Sequence, residues 1–462
     1  MMAGVGILLA TAAFSGVRTQ NQTTSQCSEY QSRVASYFHA KQQTITPACI
    51  IQPRSSQDVS LAVKTLTGMN TSQPCKFAIR VRCRNSIAKV GAGATWNGVF
   101  TTLEPLGVIT TGGRSSSVGV GGITLGGGIS FFSAEHGLIC DNIVEFEVVL
   151  ADGSIASASK KSNPDLFTIL KGGNNNFGIV TRFDFRTFSY RGLWGGLVVY
   201  PASTIDAQFK ALVNFANNVG QNIKGAAIVI AAYESAVGDD FVLNAYDYAE
   251  PTMWPEAYSE FLAIPGNTSD TTGLRNMSSL AQELVGSTTS RSVTCMYVYF
   301  GTLTFANDFR VMAKAHEIYI EVLVNLKAKA TGEWSVHVLY QPPPPAYWKH
   351  SAERGGNVLG LERFDEQVLC LYQSYISWQG AEQDELFQSA GAELIARIRD
   401  YADSIGADCP YLYLDYADGS QDPLASYGAE NVEKMKVAAA KYDPRGVFQH
   451  LVPGGFKISK VL

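Results

Sequence analysis

Apolar residues recur at helical spacing in a few short segments of the first part of the chain, between strand-like runs and glycine turns. Residues 55–66 have polar starters followed by apolar residues near helical spacing, which predicts a capped amphipathic helix. Residues 96–103 are predicted to form another helix, because Pro105 and Gly107 follow at its end.

A β-hairpin is predicted soon afterwards. Residues 143–150 and 154–158 are strand-like runs on either side of Asp152 and Gly153, a dipeptide typical of tight hairpin turns. The mixture of short strands, short helices and glycine turns predicts an α+β first domain over residues 44–188.

Beyond Trp194 the pattern changes to strand-like runs that alternate with long helical stretches. The strand candidates are residues 197–200, 227–232, 293–303 and 368–378, and the helix candidates are residues 305–329 and 384–401. This pattern predicts a second domain over residues 194–401, with an antiparallel sheet backed by helices. The predicted fold class is α+β, and a length of 462 residues suggests two or three domains.

Composition and charge exclude several classes of protein. A hydrophobic fraction of 46% and a charged fraction of 17% are typical of a globular protein. The net charge of −5 supplies no basic surface, so no nucleic acid partner is predicted.

The N-terminus resembles a signal peptide over residues 1–16, although no Lys or Arg precedes its apolar stretch. The stretch is too short to span a bilayer, so no membrane partner is predicted. Four N-glycosylation sequons begin at Asn21, Asn70, Asn267 and Asn276, which favours a secreted glycoprotein.

Eight cysteines are scattered along the chain, and four of them, Cys27, Cys49, Cys75 and Cys83, lie in its first fifth. None belongs to a C-x-x-C pair, so no metal site is predicted. One or two disulfides near the N-terminus would suit an oxidising compartment, and their pairing is left open.

The densest signal is a glycine run, since six of the ten residues from Gly119 to Gly128 are glycine. A backbone without Cβ atoms can adopt positive φ and lie against a ligand, and its free N–H groups can bind phosphate. The run therefore predicts a phosphate-bearing cofactor, and the alternative is a glycine-rich turn. It is not a G-x-G-x-x-G fingerprint, because Thr124 stands where the third glycine belongs.

Several longer motifs surround this run in a fixed order. They are TPACIIQPRSSQDVSLAVKTL (46–66), VGAGATW (90–96), GGRSSSVGVGGITLGGGISFFSAEHGLICDNI (112–143), VVLADGSI (148–155), NPDLFTILKGGNNNFGIVTRF (163–183) and YLYLDYAD (411–418). Together they resemble the FAD-binding domain shared by vanillyl-alcohol oxidase and p-cresol methylhydroxylase. The best match is the berberine bridge enzyme branch, in its fungal secreted form. The resemblance extends over nearly the whole chain after Cys27.

The resemblance implies an FAD-binding domain whose main-chain groups hold the cofactor. Contacts to the diphosphate and flavin would come from Gly119, Val120, Gly121, Gly122, Ile123, Gly126 and Gly127. The adenosine–pyrophosphate side would be lined by Gly173, Gly178, Ile179 and Val180, for which the alternative is a helix-end turn followed by a core strand. The substrate domain would cover the isoalloxazine, and residues 405–462 would return to close the site.

Two departures from the family pattern imply that FAD is bound without a covalent link. After Arg80, the family's glycine-rich loop and its flavin-linking histidine are absent. At residues 115–117 three serines occupy the place of the second linking cysteine.

The resemblance places the catalytic residues in the C-terminal motif, where the family usually shows Tyr-x-Asn and this chain has Tyr413 and Asp415. Tyr413 would orient a substrate hydroxyl, or deprotonate it if the site lowers the phenol's pKa. Asp415 would act as a base, or would place a negative charge beside the reduced flavin. The alternative is that Tyr411, Tyr413 and Tyr416 are alternating strand aromatics.

Three aromatic residues of the preceding sheet strand, Tyr372, Tyr375 and Trp378, are further candidates for the substrate wall. The implied activity is that of an FAD-dependent oxidoreductase. A C–H bond bearing an alcohol or amine in a small molecule would lose hydride to the flavin, with O₂ as acceptor. The rival interpretation is a redox-inactive fold relative that acts as a binding protein or as a non-redox catalyst of ring formation.

Overall fold

The computed structural model describes residues 22–23, 28–35, 39–44, 50–51, 53–68, 89–288 and 296–462. Four predictions lie outside these residues: the signal peptide, the N-terminal disulfides, the missing loop after Arg80, and the sequons at Asn21 and Asn70. Cys140, Cys370 and Cys409 lie inside the described ranges, where they are buried and free.

Helices and strands are distributed along the whole described chain. The α-helices are α1 (Ser28–Ala35), α2 (Ala40–Gln43), α3 (Ser56–Gly68), α4 (Trp96–Leu103), α5 (Val120–Leu125), α6 (Ser133–His136), α7 (Pro164–Ile169), α8 (Ile205–Asn217), α9 (Ser259–Leu262), α10 (Met277–Thr288), α11 (Phe309–Lys329), α12 (Asp384–Ser404), α13 (Ala429–Tyr442) and α14 (Val447–His450). The strands are β1 (Gln22–Thr23), β2 (Ile50–Ile51), β3 (Lys89–Gly91), β4 (Val108–Ile109), β5 (Ile143–Val149), β6 (Ile155–Ser159), β7 (Ile179–Phe185), β8 (Phe188–Ser189), β9 (Leu193–Pro201), β10 (Gly225–Glu234), β11 (Asp240–Tyr248), β12 (Ser269–Asp270), β13 (Gly273–Arg275), β14 (Met296–Ala306), β15 (Trp334–Gln341), β16 (Leu369–Gln379) and β17 (Asp408–Cys409).

A four-stranded antiparallel sheet in the order β3-β7-β5-β6 forms the centre of the first part of the chain. The predicted hairpin is confirmed as β5 and β6, with Val149 paired to Ile155. Gly153 has a φ of +78° in the turn, and a Cβ at that position would stand 2.5 Å from Cγ of Lys64 on α3. Both backbone conformation and close approach therefore require glycine there.

The second part of the chain is built on a large antiparallel sheet in the order β12-β9-β11-β10-β15-β16-β14-β17, with β13 also paired to β9. Helices cover one face of this sheet. Tyr340 packs against Phe209 of α8 with ring centroids 4.7 Å apart, and Trp378 stacks on Phe387 of α12 at 5.1 Å. The predicted α+β class, with an antiparallel sheet backed by helices, is confirmed.

The opposite face of the large sheet faces the glycine-rich part of the chain. Along β10, Ala226 and Ile228 lie on this face, because the alternate residue Val229 is paired with Tyr340 on the helix side. Arg114 crosses from the first part of the chain and donates to Oε1 of Gln341 at the end of β15. The two parts of the chain therefore meet at the face of the large sheet that lies opposite the helix-covered face. This face is called the uncovered face below.

The C-terminal segment returns to the first part of the chain. The Ile458 N–H donates to Oδ1 of Asn176 at 3.1 Å, and Nδ2 of Asn176 donates to the Phe456 carbonyl at 2.9 Å. Asn176 also donates to the carbonyl of Gly173, so one side chain ties the C-terminus to the predicted cofactor turn.

Within the described ranges, none of the helices combines the length and the apolar character that a membrane span needs. The same residues contain no group of three or more His, Cys, Asp or Glu side chains placed to hold a metal ion.

Candidate active site

The glycine run begins as a short helix that is tied to the preceding glycine turn. Thr95 and Gly119 form an isolated antiparallel bridge, and the Val120 N–H donates to the Ala94 carbonyl at 2.9 Å. The run then continues through α5 to a turn at Gly126, and residues 127–128 are irregular. The alternative of a plain glycine turn thus describes only its second half.

Positive φ is confined to the end of the run. Gly127 and Gly128 have φ of +110° and +77°, whereas Gly126 has a φ of −87°. The expectation that the run uses positive φ therefore holds for its last two glycines and fails for its first ones. The backbone conformation therefore does not explain why the first half of the run is rich in glycine. The explanation must lie in the absence of side chains there.

That first half leaves its backbone uncovered. A Cβ on Gly122 would meet no atom within 4 Å, and the nearest atoms to one on Gly119 or Gly121 would be carbonyl oxygens at 3.9 and 3.5 Å. Packing within the described chain does not require glycine at these three positions. The exposed main chain is the kind of surface on which a ligand can lie directly.

The second half is closely packed against the C-terminal motif. A Cβ on Gly126 would stand 2.2 Å from Oδ1 of Asp415, and one on Gly127 would stand 2.9 Å from Cδ1 of Leu359. The run thus brings the predicted cofactor residue Gly126 into contact with the predicted catalytic residue Asp415.

The second predicted cofactor set has a packing explanation of its own. A Cβ on Gly173 would stand 2.2 Å from the Ile169 carbonyl, and one on Gly178 would stand 2.4 Å from Cγ1 of Val148. Ile179 and Val180 are in β7, paired with β5. The helix-end turn and core strand that formed the alternative account for these residues, and their contact with a cofactor stays a prediction.

Tyr413 is held by the end of the glycine run. Its phenol oxygen accepts a hydrogen bond from the Ile129 N–H at 2.9 Å. Residues 411–413 are irregular and Leu414–Tyr416 is a 3₁₀ turn, while Tyr411, Tyr413 and Tyr416 are all buried. The alternative of strand aromatics divided between core and surface is therefore wrong.

Burial gives Tyr413 and Asp415 different protonation behaviour. Burial raises the pKa of Asp415 to about 7, although hydrogen bonds from Tyr413 and the Gly128 N–H oppose the rise. Burial also raises the pKa of Tyr413 well above 10, and the nearby Asp415 carboxylate raises it further. The condition under which Tyr413 would deprotonate a substrate hydroxyl, a lowered pKa, is not met, because a buried phenol beside a carboxylate is held protonated.

Asp415 is consequently the group of this pair that can exchange a proton near neutral pH. Its Oδ2 atom is buried, and it has no hydrogen-bond partner among the described residues. A buried carboxylate oxygen without a partner is unfavourable unless a ligand satisfies it.

A polar cluster that sequence reasoning missed lies between the two parts of the chain. Arg114 donates to both Gln341 and the Tyr416 hydroxyl, and Nε2 of Gln341 donates to the same hydroxyl at 3.0 Å. Arg114 makes no ion pair with any described carboxylate. Arg114 belongs to the motif of residues 112–143, but nothing in the sequence connects it with Gln341.

This cluster borders a small cavity at the uncovered face of the large sheet. The cavity has a volume of about 10 Å³ and lies between Arg114 and Ile129 on one side and Ala226, Gln341 and Tyr347 on the other. That volume is close to the space of one water molecule.

The predicted aromatic wall is largely on the wrong face of the sheet. Tyr372 packs against Tyr340 and Trp378 stacks on Phe387, so both lie on the helix-covered side. Tyr375 lies on the uncovered side, where its ring is 5.8 Å from His337. The side chains of a strand alternate between faces, so Tyr372 and Tyr375 cannot both line one wall.

Comparison with known proteins identifies the family. A family profile described as an FAD binding domain matches residues 69–159. The chain is 38% identical over 460 residues to the FAD-dependent monooxygenase drtC of Aspergillus calidoustus, covering 92% of this chain and 86% of that protein. The chain belongs to the family of fungal FAD-dependent monooxygenases.

Solved structures of much lower identity share the fold. 6-Hydroxy-D-nicotine oxidase from Arthrobacter nicotinovorans superimposes with a TM-score of 0.74 at 17% identity, covering 95% of this chain and 98% of that one. The berberine bridge enzyme-like protein 1 of Physcomitrella patens gives a TM-score of 0.69 at 17% identity, covering 94% and 96%.

The cofactor of this family is FAD, and the described residues fit it. The uncovered main chain at Gly119, Gly121 and Gly122 offers a surface for a phosphate-bearing ligand. The unpartnered Oδ2 of Asp415 lies at the other end of the same run. Residues 119–123 would hold the diphosphate, and Gly126 and Gly127 would lie near the flavin.

Proposed function

We propose that this protein is an FAD-dependent oxidase of fungal secondary metabolism that acts on a small molecule carrying an alcohol or amine. The observation that carries the proposal is the contact between the end of the glycine run and the pair Tyr413 and Asp415. When bound, FAD supplies the electron-accepting chemistry, taking hydride from a substrate C–H bond and passing the electrons to O₂.

Asp415 is the proposed base. Oxidation of an alcohol to a carbonyl releases the hydroxyl proton as the C–H bond breaks, and Oδ2 of Asp415 takes that proton. A pKa of about 7 suits this role, because a useful fraction of the carboxyl group is ionised at neutral pH. Tyr413 stays protonated, and it holds the carboxylate by hydrogen bonding.

The matching experiment is anaerobic reduction of the bound flavin by a panel of alcohols, oligosaccharides and amine-bearing metabolites. We expect at least one compound to bleach the flavin in the wild type, and re-oxidation by air to restore the colour. A protein that purifies with flavin yet is reduced by no compound of the panel would favour the redox-inactive rival. A purified protein without any flavin band would contradict the proposal directly.

We also propose that FAD is held without a covalent bond, since residues 115–117 are serines and no histidine occupies the family's linking position. Acid precipitation should release all of the yellow colour into the supernatant. Flavin fluorescence that stays with the denatured chain would contradict this.

A further inference from the structure

Arg114 is the only charged residue among the described residues that line the small cavity. It is partly buried, and it donates to Oε1 of Gln341 and to the Tyr416 hydroxyl, both of which are uncharged acceptors. Its positive charge is therefore oriented by hydrogen bonds but is not neutralised by a described carboxylate. A partly buried charge without a counter-ion is costly, and an anionic ligand would remove that cost.

The local sequence holds the Arg114 side chain in place. Gly112 and Gly113 lie flat against Trp96, because a Cβ on either glycine would stand 2.4 or 2.6 Å from the indole ring. On the other side, Cζ of Arg114 is 5.8 Å from the centroid of the Phe131 ring. Together with its two hydrogen bonds, these contacts fix the guanidinium before any ligand arrives, so binding loses little side-chain entropy.

The guanidinium still has donors to offer. It has five N–H groups, and its two hydrogen bonds leave the other three without a partner among the described residues. A planar N–H fork matches the delocalised oxygens of a carboxylate or an enolate. The facing wall of the cavity consists of Ala226, Ala227 and Ile228 of β10, which add no charge. The complement of this cavity is therefore an anionic oxygen.

Short contacts connect the cavity with the proposed active site. Ile129 lines the cavity, and its N–H donates to the Tyr413 hydroxyl at 2.9 Å. The ring of Tyr413 packs edge-on against that of Tyr416 with centroids 4.9 Å apart, and Tyr416 accepts the hydrogen bond from Arg114. A group held by Arg114 would thus lie beside Tyr413.

We infer that Arg114 binds an anionic oxygen of the substrate, from a carboxylate or an enolate, in this cavity. The volume of about 10 Å³ suits one oxygen atom. The inference deepens the proposed function and rests on it for the identity of the site. It adds that the alcohol or amine substrate also carries an acidic group, which Arg114 selects.

The first test measures binding of two matched pairs of probes to the full-length flavoprotein by calorimetry. Benzoate is compared with neutral benzamide, and cyclohexane-1,3-dione, an enolate at neutral pH, is compared with its neutral methyl enol ether. We expect at least one anion to bind about tenfold more tightly than its neutral partner. Preference for benzoate would identify a carboxylate, and preference for the dione would identify an enolate. Equal binding within both pairs would overturn the inference.

Two variants test whether Arg114 causes this preference. Arg114→Met removes the charge and should abolish the preference while neutral probes bind as before. Gln341→Glu keeps Arg114 and places a carboxylate at an existing hydrogen bond, so it should abolish the preference as well. Arg310→Met is the matched control, because it removes an exposed arginine paired with Asp308 and should keep the wild-type preference.

The inference would be overturned by an Arg114→Met or Gln341→Glu protein that still prefers the anion. Loss of bound FAD in Arg114→Met would also overturn it, because that result would assign Arg114 to the cofactor. If Arg114→Met fails to fold, Gln341→Glu and the wild-type probe pairs still decide.

Probe binding involves no turnover, so the two proposals can fail separately. A protein that prefers the anion through Arg114 but is never reduced by any compound would contradict the proposed oxidase function and leave the anion site standing. A protein that is reduced by substrate but binds both members of each probe pair equally would keep the oxidase function and overturn the inference.

Discussion

The protonation of Asp415 links the stability of the protein to pH. Its folded pKa of about 7 is above the ordinary value of 3.8, so the folded state holds the proton more tightly than the unfolded chain. The resulting stabilisation is fully present below about pH 4 and is lost as the pH rises through 7. At pH 8 the ionised, buried carboxylate opposes folding.

Asp415→Asn removes this titration. We expect the variant to gain stability relative to the wild type as the pH rises from 4 to 8, by an amount on the order of 4 kcal/mol. Melting temperatures of both proteins across that range are the measurement. If the curves of melting temperature against pH were parallel for the two proteins, Asp415 would not be protonated in the folded protein at neutral pH. The variant should also lose activity, since it lacks the proposed base.

Tyr413→Phe keeps the ring and removes the hydrogen bond that favours ionised Asp415. The pKa of Asp415 should then rise, so the pH profile of flavin reduction should move to higher pH. A shift of one unit slows reduction about tenfold below the midpoint. Tyr319→Phe is the control, because it removes a buried, unpaired hydroxyl from a helix on the far side of the sheet. If the pH profile of flavin reduction did not shift in Tyr413→Phe, Tyr413 would not belong to the active site.

Single residues divide into those that the sequence could indicate and those that it could not. Tyr413 and Asp415 occupy a family motif, so resemblance alone predicted their importance. Arg114 contacts Gln341, which is 227 positions away in sequence, and Asp247 has no hydrogen-bond partner among the described residues. Only the folded chain displays these features. The direction of the Tyr413 pKa shift could not be predicted from the sequence either, because it depends on burial.

At the scale of an element, the glycine run offers a paired test of cofactor binding. Gly122→Ala places a methyl group where no atom of the described residues, apart from its chain neighbours and its own helix backbone, lies within 4 Å, and Gly126→Ala drives one into Asp415. We expect Gly122→Ala to keep the fold and to weaken FAD affinity about tenfold, because the methyl group meets only the ligand. Gly126→Ala should lower the melting temperature even without FAD. Unchanged FAD affinity in Gly122→Ala would place the cofactor elsewhere.

Elements with strong local signals were predicted well. The helix Trp96–Leu103 and the hairpin are confirmed, because caps and turns are encoded by adjacent residues. The helix predicted to begin at residue 305 begins at Phe309, since β14 continues to Ala306 and Asp308 caps the helix through the Arg310 N–H. Strand β11 was missed, because its buried Asn244 and Asp247 interrupt the apolar pattern.

On the scale of the whole molecule, secretion and glycosylation remain our proposal, and the sequons at Asn267 and Asn276 can test it. Both asparagines are exposed. Expressed in a eukaryotic host, the protein should reach the medium and lose mass when N-glycans are removed enzymatically. Asn267→Gln and Asn276→Gln should each abolish the glycan at the altered site, as mass spectrometry of peptides can show. An unmodified protein that stays inside the cell would contradict the proposal.

The overall architecture was predictable because several motifs in a fixed order specify a family more strictly than any one element does. The contact between the two parts of the chain was not predictable, since it depends on long-range pairs such as Arg114 with Gln341 and Asn176 with Ile458. Local patterns contain no information about such pairs.

The hydrogen bond between Ile129 and Tyr413 also has a consequence for biosynthesis. The two residues are separated by 284 positions, and Asp415 lies beyond Tyr413 in the chain. During translation the glycine run leaves the ribosome long before the segment that completes its pocket. A nascent chain halted before Tyr413 has the main chain that is proposed to bind phosphate but lacks the proposed base. If the proposed function is right, a flavin bound to the nascent chain would therefore lack its base until synthesis is almost finished.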